Sequence, residues 1–112
     1  MSVGSELRNA VKDIAPVYPK VYEGSADHYF VYDIEDDRGD EWGDDDPEWI
    51  HYWIRLKFYY PLGENQTAMR DEVRDRLYEA GFTFASISEL DVPEDGTAGL
   101  AWDCEYTQGR SN

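Results

Sequence analysis

Apolar positions come in two periods along this chain, and the alternation between them predicts the elements. Leu7, Val11 and Ile14 fall at i, i+4 and i+7, the single stripe of a short amphipathic helix. Ser5 is placed to cap that helix, and Pro16 closes it, because the residue before a proline avoids the α region. The next segment, Val17 to Tyr22, is extended, and Pro19 cannot donate to a ladder, so it predicts an edge strand or arm. Residues 28–34, HYFVYDI, alternate: Phe30, Tyr32 and Ile34 share one face, and Tyr29, Val31 and Asp33 the other.

The clearest strand is WIHYWIRLKFYY, from Trp49 to Tyr60. Ile50, Tyr52, Ile54, Leu56, Phe58 and Tyr60 form a core face, while Trp49, His51, Trp53, Arg55, Lys57 and Tyr59 point the other way. Pro61 and Gly63 end it. Asn65 or Thr67 is suited to cap a second helix running to about Ala80, with Met69, Val73, Leu77 and Ala80 at helical spacing and Gly81 where a terminating glycine belongs. Phe82 to Val92 predicts a strand, Pro93 to Gly96 a turn, and Leu100 to Tyr106 a last strand with Leu100, Trp102, Cys104 and Tyr106 inward. The order is helix, strands, helix, strands. It predicts an α+β fold, one domain over residues 1–112: a mostly antiparallel sheet of four or five strands with two helices on one face. The helix between strands permits one crossover and hence a mixed sheet. Residues 36–48 read as an acidic loop and 107–112 as a frayed tail.

Charge changes the picture more than composition does. The 112 residues carry a formal net charge of −15. That balance argues against direct binding to a phosphate backbone, which rests on Lys and Arg, and against anionic membrane surfaces. Seventeen aromatics, nine Tyr, four Trp and four Phe, supply core material without a metal or disulfide. The single cysteine, Cys104, cannot form an internal disulfide. The opening MSVGSELRNAVKD has no apolar stretch of a secretory signal, and no apolar run approaches a membrane span.

Ten of the seventeen side chains in DIEDDRGDEWGDDDPEW, residues 33–49, are carboxylates. An EF-hand register fails there: counting from Asp33, position 6 is Arg38, with Gly39 one place late. Asp44, Asp45 and Asp46 leave a different cation site conceivable. A phosphate mimic would spread its acids over a surface rather than concentrate them. The plainest reading is a solvated link held extended by repulsion, comprising Asp36, Asp37, Asp40, Glu41, Asp44, Asp45 and Asp46. Trp42 within it either folds back on the sheet or docks on a partner.

Catalytic signals are weak. His28 and His51 are the only histidines and are the minimum for zinc with one carboxylate, but neither HExxH nor CxxC is present. Cys104 alternates inward as a buried thiol, and Ser86 and Ser88 have no GxSxG setting. No enzyme activity, cofactor or metal is expected. The outward Trp49, Trp53 and Tyr59, with Trp42, are instead candidates for a protein interface, unless a second layer of this chain covers them.

Three stretches carry a resemblance: LRNAVKDIAPVYPKVYEGSADHYFVYDI, WIHYWIRLKFYYPLGENQTAMRDEVRDRLYEAGFTF and GLAWDCEY. Their order and spacing, over roughly residues 5–106, resemble small tail-completion or tail-terminator proteins of bacteriophages and prophages with long non-contractile tails. The resemblance implies a virion structural protein, with neck or minor tail roles close by. Such subunits form a ring, typically sixfold, at the head–tail junction, made in the bacterial cytoplasm and ending in the virion. It implies self-association and contact with other head and tail proteins, and it transfers no catalytic residue. The alternative from the acidic composition is a binding module or DNA-mimic inhibitor that occupies a basic site on a host protein.

Overall fold

A computed structural model describes residues 3–20, 24, 26–37, 49–92 and 96–109, with backbone alone at 36, 37, 49, 50, 108 and 109. Its elements are α1 (Val3–Val11), β1 (Val17–Pro19), β2 (Tyr29–Asp37), β3 (Trp49–Pro61), α2 (Thr67–Glu79), β4 (Ser86–Leu90) and β5 (Thr97–Gly109). The five strands form one sheet in the order β1-β2-β3-β5-β4. Only β1 pairs in parallel, against β2; the other three pairings are antiparallel. The fold is therefore α+β with a mixed, mostly antiparallel sheet.

The inward faces of β2, β3 and β5 meet in register. Phe30 lies opposite Phe58, which lies opposite Leu100; Leu56 lies opposite Trp102, and Ile54 opposite Cys104. All of these are buried, and they share one core with Val3, Leu7 and Val11 of α1 and Val73 and Leu77 of α2. Both helices thus cover the same side of the sheet. Trp102 is the largest fully buried side chain, and its indole Nε1 donates to the Arg70 carbonyl at 3.1 Å, tying β5 to α2. Arg76 ties the helices to each other: it donates to the Ala10 carbonyl at 3.2 Å and pairs with Asp13 at 2.6 Å and Glu72 at 2.8 Å. That pairing holds the exposed Asp13 carboxyl below its usual range, chiefly through the Arg76 hydrogen bond.

Local signals explain most boundaries. Pro19 sits in β1 at the sheet edge, where its missing N–H costs no ladder bond. At α2 the cap position is Gln66, which makes no side-chain cap bond, rather than Asn65 or Thr67, although the Asn65 side-chain oxygen accepts from the Thr67 amide at 3.0 Å; Gly81 follows the helix at φ 102.

Four expectations are corrected. Ser5 is not a cap, because α1 begins at Val3, which extends the buried stripe to Val3, Leu7 and Val11. Residues 82–85 are not strand: Phe82 and Ala85 are both buried three residues apart, a spacing no period-2 strand provides. β5 is longer than Leu100–Tyr106, since every β3 residue from Trp49 to Pro61 has a partner on it. Thr107 to Gly109 are consequently ladder rather than frayed tail, and Asp36 and Asp37 complete β2 rather than opening the acidic loop. The proposed turn at 93–95 lies outside the described residues; Gly96 beyond it has φ 80.

Gly99 marks a close approach of β4. A Cβ there would lie 2.9 Å from Leu90 Cδ1, 3.1 Å from Leu90 Cβ and 3.3 Å from Val92 Cγ2. Gly99→Ala is expected to cost about 1–3 kcal/mol in urea unfolding, the range for overpacking. An unchanged midpoint would mean that β4 shifts freely.

Candidate functional site

Opposite the helices, the second face of the sheet has no covering element among the described residues, and α1 and β1 do not fold back over it. Its side chains come from the alternate positions of β2, β3 and β5, so the ladder register sets which residues meet. Four rows result. Tyr29 stacks on Tyr59, with ring centroids 5.1 Å apart. Next, Val31 lies opposite Lys57, and Lys57 opposite Ala101; Val31 and Ala101 are buried on this side as well. In the third row, Asp33, Arg55 and Asp103 are in line. Arg55 forks onto Asp103 with contacts of 2.8 and 3.2 Å, and Lys57 reaches diagonally to Asp33 at 3.2 Å. The hydrogen bond to Asp103 raises the Arg55 pKa, so this guanidinium is charged throughout.

The fourth row is centred on Trp53. Trp53 lies between Glu35 on β2 and Glu105 on β5. It remains 46% exposed, although His51 meets its ring edge-on at 5.3 Å. His51 in turn bonds Glu105 at 2.6 Å and Thr107 at 3.0 Å. A groove of ≈ 650 Å³ runs over this row, with Glu35, Trp53, Arg55, Phe84 and Glu105 on its walls. Phe84 forms the far rim. It is 60% exposed, with the Arg74 guanidinium 4.4 Å from its ring centroid.

Exposed ion pairs such as Arg55–Asp103 and Lys57–Asp33 add little stability. Their effect is to fix side-chain positions around Trp53. An aromatic held in water inside a charged rim has the makeup of a protein contact surface rather than of a core.

The candidate interface residues separate accordingly. Trp53 is on the open face as expected. Tyr59 is there too, but its ring is occupied by Tyr29. Trp49 begins β3, and its side chain lies outside the described residues, as does all of Trp42. Asp40, Glu41, Asp44, Asp45 and Asp46, and the side chains of Asp36 and Asp37, also lie outside them, so the cation reading of that stretch meets no geometry. Among the described residues, no group of three or more His, Cys, Asp or Glu comes together as a metal site. The two histidines do not converge: His28 bonds Glu64 at 2.8 Å at one end of β3, while His51 bonds Glu105 near the other. At the rise of a strand, those ends are roughly 25–30 Å apart.

Cys104 is buried, and burial pushes its thiol up to about 12, with Asp103 and Glu105 adding to the effect. It is a packed apolar group rather than a nucleophile. No described helix is long and apolar enough to cross a membrane.

Sequence reasoning missed Glu35, Glu105 and Phe84 as neighbours of Trp53. Alternation put Glu105 outward, but only the register places it beside Trp53. Phe84 was absorbed into a strand that begins two residues later. No protein-family model matches this chain, and a search of curated proteins returns no match.

Proposed function

We propose that this protein is a non-enzymatic assembly subunit, acting in tail completion of a tailed bacteriophage or prophage as part of a ring at the head–tail junction. The observation that carries the assembly reading is the one-sided sheet: helices cover one face, and Trp53 stands 46% exposed in a groove on the other. The tail role itself rests on the resemblance in element order. A small α+β subunit with one free sheet face suits a ring, where each copy must offer surface to neighbours as well as to the proteins above and below it.

The acidic-module alternative calls for free carboxylates spread over α2 and β5. Asp71, Glu72 and Asp103 are held by Arg74, Arg76 and Arg55 within the chain, and of the α2 acids only Asp75 and Glu79 have no ion-pair partner among the described residues. That neutralisation favours the assembly reading.

The test is mass in solution by light scattering after size exclusion, over a range of protein concentration in moderate salt. Salt screens the net charge beyond ~10 Å and lets like-charged copies approach. A fixed multiple of the 13.0 kDa chain is expected. A single chain at every concentration would overturn self-assembly.

A further inference from the structure

The groove around Trp53 and the outer side of α1 are complementary. On the open sheet face, Glu35 and Glu105 bracket the exposed Trp53 from the two neighbouring strands. Lysine and arginine are the side chains such a place takes, because an aromatic face and flanking carboxylates attract the same cation. The chain itself carries the matching group. Arg8 on α1 and Lys12 just past its end are both exposed and stand four residues apart, with the Lys12 amide still bonded to the Arg8 carbonyl at 2.8 Å, so they lie on one side of the helix end. Neither forms an ion pair among the described residues, and nor do Lys20 and Arg70, whereas Arg55, Lys57, Arg74 and Arg76 do.

The two patches lie on opposite layers of the molecule, one beyond the helices and one beyond the sheet. They cannot meet within one chain. We propose that they meet between copies: Arg8 and Lys12 of one subunit enter the Glu35–Trp53–Glu105 groove of the next. Two different patches in contact make a head-to-tail interface, which closes into a ring when the rotation allows. Arg8 is the better fit to the Trp53 ring, since a guanidinium both stacks and forks onto a carboxylate. Glu105 stays oriented for it by His51. This inference rests on the reading of the protein as a self-assembling subunit and specifies how the copies join.

Charge reversal on the full chain tests it. Glu35→Lys with Glu105→Lys spoils the groove and leaves α1 intact; Arg8→Glu with Lys12→Glu spoils α1 and leaves the groove intact. All four sites are at the surface, and circular dichroism checks that each variant folds. Each double variant alone is expected to weaken assembly at least tenfold in the concentration required. Mixed in equal amounts, the two are expected to regain larger assemblies, because the native α1 patch meets the native groove at one contact and the two reversed patches, again opposite in sign, meet at the next. Assembly of either double variant at the wild-type concentration would overturn this interface while leaving the ring reading in place. A wild-type chain that stays single at every concentration would overturn both.

Discussion

Trp102→Ala is expected to lower the unfolding free energy by about 3–5 kcal/mol, the range for removing a large buried aromatic. The residue is 0% exposed and packs between the sheet and α2, with Phe30 at 6.3 Å between ring centroids. Truncation removes that apolar burial, leaves a cavity at the centre of the core, and deletes the 3.1 Å bond from the indole to the Arg70 carbonyl. Against a total of ~5–15 kcal/mol for a domain, the loss is severe. Trp102→Phe separates the parts. It keeps most of the ring, and the Arg70 carbonyl retains its place in the helix ladder, so a smaller loss of about 1–2 kcal/mol is expected. Urea unfolding followed by circular dichroism measures both. A Trp102→Ala midpoint near that of the wild type would mean that the helices do not depend on this anchor.

The second large effect concerns Cys104. Its thiol is raised from an ordinary 9.0 to about 12, chiefly by burial, so the folded protein holds the proton where the unfolded chain releases it. At pH 8 the native thiolate fraction is about a thousandfold below that of the unfolded chain. Reaction with an aromatic disulfide reagent should be slow by about that factor until urea unfolds the protein. The sign of the stability effect follows from the raised value. The contribution is fully present below pH 9.0 and is lost as pH rises toward about 12. Three units correspond to about 4 kcal/mol as an upper figure. Rapid labelling of the native protein at pH 8 would show that the sheet opens around Cys104.

The core was legible in the sequence because burial and periodicity coincide there. The alternation of β3 placed Ile54, Leu56, Phe58 and Tyr60 inward, and the spacing of Val73 and Leu77 placed α2 above them. Legibility failed where tertiary contact overrides local pattern. Phe82 and Ala85 are buried by the turn out of α2 rather than by a strand, so residues 82–85 broke the alternation without an obvious local signal. Ser5 is a good cap by type, but burial of Val3 moved the helix start past it. The candidate site was half legible. Outward Trp53 followed from alternation alone, whereas its bracketing by Glu35 and Glu105 depends on the registers of two non-local pairings. The same registers turned Tyr59 from an open aromatic into the partner of Tyr29.

The central claim is that the open sheet face around Trp53 is where this protein makes its contacts. Hydroxyl-radical footprinting reads that directly, comparing dilute protein with protein at assembling concentration. Leu62, 68% exposed in the turn after β3, serves as the internal reference. Strong protection of Trp53 on assembly, with Leu62 labelled equally in both samples, is the predicted result. Equal labelling of Trp53 in the two samples would contradict the account.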